Sequence, residues 1–168
     1  MTGRGEAFID LSKPLPEGFC ILASVERYGK QSPVKPVILE NGFRKKAAIA
    51  SSWAHDSHNI LVMATDGNLA AEAVNRVIDI GGGIVALDGD EIVEVPLSYG
   101  GIVSLESPEK LAERISLVRA FMRDHGYEAD EEIMSFAVLA LPVSPELKVT
   151  DKGLVDVRKS EVIEWRLG

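Results

Sequence analysis

Residues 59–87 constrain the fold more than any other stretch of the chain. Asn59–Ala64 (Asn-Ile-Leu-Val-Met-Ala) is a short apolar run of the buried-strand type. Thr65-Asp66-Gly67-Asn68 interrupts it, with Asn68 expected to cap a helix and Gly81 expected to end it. Between them Ala70, Ala73, Val74, Val77 and Ile78 recur at helical spacing and predict one apolar face. Ile84–Leu87 is again a strand-like run. Strand, helix, strand in that order predicts a crossover, right-handed if the two strands are parallel.

Around this unit the pattern is mostly β. Strands are expected at Ala7–Leu11 (an edge), Gly18–Tyr28, Val34–Glu40 and Lys46–Ser52, with Asn41-Gly42 as a tight turn because both residues tolerate positive φ. Asp88-Gly89-Asp90 turns the chain into Glu91–Val95, a hairpin partner for the strand before it. Ser107-Pro108 starts a second helix, with Leu111, Ile115, Val118, Phe121 and Met122 as its buried stripe and Gly126 as its stop. Ile133–Val143 is apolar throughout and therefore ambiguous; a strand is expected over Phe136–Leu141, after a helical turn. Asp130-Glu131-Glu132 reads as a solvated turn, Thr150–Asp156 as a compact polar loop, and Glu161–Arg166 as a last edge strand.

The 168 residues suit one domain, 1–168, of α/β class with α+β as the alternative: a mixed β-sheet with at least two packed helices. With 46% hydrophobic and 26% charged residues the composition is globular. The net charge of −8 gives no footprint for nucleic acid or an anionic membrane. A single cysteine, Cys20, rules out an internal disulfide. No apolar run approaches the roughly 20 residues of a membrane span, and the N-terminus has no apolar signal core, so a cytoplasmic protein is expected.

The densest polar cluster is Ser51-Ser52-Trp53-Ala54-His55-Asp56-Ser57-His58-Asn59, between two predicted strands. His and Asp suit acid–base work, Ser and Asn suit hydrogen bonding, and the group is a candidate binding or interface site. Glu26 and Arg27, at the end of an earlier strand, are candidates to join it. The competing reading is a hydrogen-bonded loop whose side chains tie down backbone. His55 and His58 are weak metal candidates at i, i+3, since a site needs three or four donors and no further Cys/His pair has ligand spacing. Gly81-Gly82-Gly83 follows a helix instead of opening one, so it reads as a helix-ending turn and not as a phosphate loop. Gly100-Gly101 reads as a flexible surface loop, with a ligand-facing loop as the other reading. No P-loop and no Gly-x-Ser-x-Gly elbow is present.

Ala47–Ile60, containing Ser-Ser-Trp-Ala-His-Asp-Ser-His-Asn, resembles the hallmark segment of the C-terminal domain of adenine deaminases, members of the amidohydrolase superfamily. The resemblance continues through Ala73–Ile78, Gly81–Val85, Pro96-Leu97, Leu139–Val143 and Pro145–Val157, and upstream through Val25-Glu26-Arg27. It departs at Tyr28, where the family commonly shows a histidine after Glu-Arg, and at Glu40–Arg44, where the family shows a Lys-Gly-Phe-Gly-Leu-like segment. The resemblance implies a metal-bearing (β/α)₈ barrel of about 250 residues ahead of this domain. That barrel would bind Mn, Fe or Zn and hydrolyse adenine to hypoxanthine and ammonia. The present chain has no His-x-His pair, so no cofactor is expected within it. It is expected to be free-standing or split from its barrel, accessory and not catalytic alone. Its partners would be further copies of itself, a separate amidohydrolase barrel protein, or both. A purine-binding regulatory module is the alternative, and an enzyme acting alone through His55, Asp56 and His58 is the third reading.

Overall fold

The computed structural model describes residues 9–10 and 13–163. The elements run β1 (Phe19–Val25), β2 (Val37–Glu40), β3 (Ala48–Ser51), β4 (Ile60–Ala64), α1 (Gly67–Asp79), β5 (Gly83–Leu87), β6 (Ile92–Pro96), α2 (Pro108–Asp124), α3 (Glu132–Ala137), β7 (Leu147–Thr150), β8 (Gly153–Asp156) and β9 (Glu161–Ile163). A 3₁₀ turn, Val138–Ala140, follows α3. The strand expected at Ala7–Leu11 falls largely outside the described residues, as does the end of Glu161–Arg166.

Six strands form one sheet in the order β2-β1-β4-β3-β5-β6, and β7-β8-β9 form a second. Every neighbouring pair is antiparallel. The crossover read from residues 59–87 is present in split form. β4 and β5 both run antiparallel to β3, which lies between them, so they point the same way with α1 connecting them.

Period-2 alternation divides the central strands between two layers. Ile60, Val62, Ala64, Ala48, Ala50, Val85 and Leu87 face α1 and meet Leu69, Ala73 and Val77. Leu61, Met63, Ile49, Ile84 and Ala86 face the opposite core, built with Val118, Phe121 and Met122 of α2 and Phe136 of α3. All five residues of β4 and of β5 are buried, which explains their unbroken apolar runs: neither face meets water. The alanines at 48, 50, 64 and 73 leave room for α1 to lie close to the sheet. Among the described residues no helix is long and apolar enough to cross a membrane.

Several local expectations change. Phe136–Leu141 is not a strand: Ile133, Phe136, Ala137 and Ala140 are buried at helical spacing, and α3 with its 3₁₀ extension carries them. The cap of α1 is Asp66, not Asn68; its carboxylate accepts from the Asn68 and Leu69 N–H groups at 2.9 and 3.0 Å. Ile78 is exposed, and Leu69 takes its place on the buried stripe. Thr150–Asp156 is the turn and second strand of a hairpin over Leu147–Asp156, turned at Asp151-Lys152. Glu132 is not solvated. It is 2% exposed, and Arg119 Nε and Arg123 Nη1 donate to its two oxygens at 2.7 Å each, joining α3 to α2. Asn41 takes positive φ as expected, but the strands on either side of it do not pair with each other.

Candidate functional site

The polar string occupies the connection between β3 and β4, whose buried registers fix both of its ends. Ser51 and Ser52 are fully buried. The Ser51 hydroxyl accepts from the Trp53 N–H at 2.9 Å and donates to the Trp53 carbonyl at 3.2 Å, starting the loop with a local turn. The His58 N–H closes the next turn on the Ala54 carbonyl at 2.9 Å, and His58 adopts φ +53°. Asn59 is buried and re-enters the sheet.

Arg27 joins this loop to a second one. Its Nε donates to the His58 carbonyl at 2.6 Å and its Nη2 to the Gly100 carbonyl at 2.7 Å. Its backbone N–H reaches Asn59 Oδ1 at 3.4 Å. The Tyr28 hydroxyl donates to the Ser57 carbonyl at 3.1 Å, and the Arg27 guanidinium lies 4.9 Å from the Tyr28 ring centroid. Glu26 does something different: its oxygens accept from the Tyr28 and Lys30 N–H groups at 2.5 and 2.7 Å, holding its own turn.

Ser52 fastens the same junction from below. Its hydroxyl accepts from the Gly83 N–H at 2.8 Å and donates to the Gly101 carbonyl at 2.6 Å. Gly82 and Gly101 make this approach possible. A Cβ on Gly82 would sit 2.4 Å from Gly101 Cα, and one on Gly101 would sit 2.8 Å from Arg27 Nη1. The glycine run after α1 thus ends the helix, as its position suggested, and also lets two backbones touch.

Outward from this anchor, Trp53, His55 and His58 form a chain of rings, with centroids 5.0 and 5.9 Å apart. Burial holds the His58 imidazole below the ordinary value of 6.5, and the charges of His55 and Arg27 push it the same way, against Asp56 and the Ser52 backbone. Asp56 and Ser57 are exposed at the tip. Two concavities of about 440 and 470 Å³ lie elsewhere, one near Gly18, Asn41 and Gly126 at the opposite end of β1, the other along α1.

The structure therefore brings Arg27, His55, Asp56, Ser57, His58 and Asn59 into one region and gives Glu26 a local task beside it. Sequence reading did not supply the roles of Ser52, Tyr28 and Gly101, whose partners lie about 30 to 50 positions away in the chain. A zinc-type site needs three or four protein donors. Among the described residues no three His, Cys, Asp or Glu side chains are grouped to hold a metal ion, so His55 and His58 have no third partner. The described residues do not fit such an ion.

Comparison with known proteins decides the family. A model of the adenine deaminase C-terminal domain matches residues 6–161. The chain belongs to the adenine deaminase C-terminal domain family. It is 44% identical over 144 residues to an adenine deaminase of Clostridium perfringens, a match covering 85% of this chain and 25% of that protein. It is 40% identical over 147 residues to one of Shewanella halifaxensis, covering 87% and 25%. One of Archaeoglobus fulgidus is 39% identical over 140 residues, covering 83% and 25%. The domain thus spans about a quarter of the length of these relatives.

Proposed function

We propose that this domain is the accessory quarter of an adenine deaminase. It works beside a metal-dependent barrel, carried on the same polypeptide or on another, that hydrolyses adenine to hypoxanthine and ammonia. The observation that carries the reading is coverage: 85% of this chain aligns with only 25% of a whole adenine deaminase. The loop at 51–59 then serves assembly, and the chemistry belongs to the barrel.

The test is to purify the 168-residue chain and, separately, to isolate it by affinity from its native host. Both preparations are assayed for ammonia release from adenine with added Mn²⁺, Fe²⁺ or Zn²⁺. The expected result is turnover only where a barrel accompanies the domain. Metal-dependent turnover by the purified chain, lost in His55→Ala, would overturn the reading.

A further inference from the structure

Four of the exposed large side chains lie on the two segments that Arg27 joins. Tyr28, Tyr99, Val103 and Leu105 are 54%, 70%, 51% and 75% exposed. Tyr28, Tyr99 and Val103 are tied together through the same groups that hold the polar loop, and Leu105 lies two residues beyond Val103 in the chain. Arg27 Nη2 contacts the Tyr28 hydroxyl at 3.3 Å and the Gly100 carbonyl at 2.7 Å, and Tyr99 pairs with Val103 in an isolated bridge. Half-buried Trp53 and His55 lie on the loop that Tyr28 and Arg27 grip.

We infer that the surface centred on Tyr28, Trp53, Tyr99 and Leu105 is the one on which the catalytic portion of the deaminase docks. The inference rests on the proposed function above. Three observations select this surface and this occupant. Its composition is that of an interface centre, aromatic side chains around an arginine. It is rigid before docking, because Arg27 and Ser52 fasten both loops to the sheet, so little ordering entropy opposes association. Three-quarters of each relative's length lies outside the match to this domain, which provides a covering body of the required size.

The test places a photo-crosslinking phenylalanine analogue at Tyr99 or Leu105 of the full chain expressed in its native host. Control positions are Leu117 and Val143, also exposed but on α2 and after the 3₁₀ turn. Because all four sites are exposed, the changes leave the core intact. Crosslinked peptides from Tyr99 and Leu105 are expected to come from a deaminase barrel, and those from Leu117 and Val143 are not. In the unlabelled complex, Tyr99→Ala with Leu105→Ala is expected to weaken association about tenfold or more. Barrel peptides from the control positions alone would overturn the assigned surface and leave the proposed function standing. Crosslinks from Tyr99 only to a second copy of this chain would replace the barrel by self-association. Absence of barrel peptides from every position, with no deaminase activity in the isolated material, would remove the proposed function itself.

Discussion

Replacing Gly82 by alanine separates two costs that are usually confounded. Gly82 has φ +108°, a conformation that side-chain-bearing residues rarely adopt, and this alone costs roughly 1–3 kcal/mol. The new methyl would also sit 2.4 Å from Gly101 Cα and 3.1 Å from Ser52 Oγ, so a backbone segment must move. Displacing a packed segment costs about 1–3 kcal/mol more. The sum is roughly 2–6 kcal/mol, and in a chain of this size each kcal/mol lowers the melting temperature by about 2–4 °C. Gly81→Ala is the control: φ is +76°, but nothing lies within 4 Å of the added methyl, so only the backbone cost of about 1–2 kcal/mol applies. Thermal unfolding followed by circular dichroism compares the two. Gly82→Ala is expected to melt several degrees below Gly81→Ala. Equal losses would refute the claim that the 82–101 contact holds the loop down.

Three further outcomes are expected. Ser52→Ala strands the buried Gly83 N–H and Gly101 carbonyl and should destabilise the domain by about 1–3 kcal/mol in urea unfolding, with Asp56→Ala, at the exposed tip, close to wild type. At Glu132, burial acts to raise the carboxyl, but hydrogen bonds from backbone, Arg123 and Arg119 outweigh it and hold the group below its ordinary 4.5. Its stabilising effect is therefore present above about pH 4.5 and is lost as pH falls through the lower folded value, and Glu132→Gln should flatten that acid limb of the stability–pH curve. His58 should titrate below 6.5 in imidazole NMR and rise in Arg27→Met; because the unfolded chain takes up that proton more readily, its contribution to stability is intact above about pH 6.5 and declines as pH falls through the folded value.

What the sequence made legible follows from the range over which each force acts. The split crossover was readable because β4 and β5 are buried on both faces and so carry unbroken apolar runs that end at turn residues. The segment Ile133–Leu141 misled for the same reason: apolar on all sides, it carries no period to separate helix from strand, and packing against α2 and the core settled it as α3 with its 3₁₀ turn. Glu132 looked like part of an acidic surface turn because its partners, Arg119 and Arg123, are one helix away. The polar loop at 51–59 was visible as composition, but its anchoring was not. No local pattern shows that Arg27 reaches both His58 and Gly100, or that Gly101 must be small because Ser52 and Arg27 lie against it.

That anchoring gives the polar string a division of labour along its length. Ser51, Ser52 and Asn59 are buried, and their side chains bond Trp53 within the loop, Gly83 of β5 together with Gly101, and the Arg27 N–H. His58 contributes its carbonyl to the same end. Ser57, though exposed, adds its carbonyl as acceptor for the Tyr28 hydroxyl and its hydroxyl for the Asn59 N–H, while Asp56 is exposed at the tip. A loop required only to connect two adjacent strands would need neither the two-loop clamp of Arg27 nor the close glycine contact beneath it, since a short polar turn joins antiparallel neighbours at lower cost. Rigid anchoring beneath an exposed polar and aromatic tip is the arrangement expected where a loop must present fixed groups to something outside its own domain.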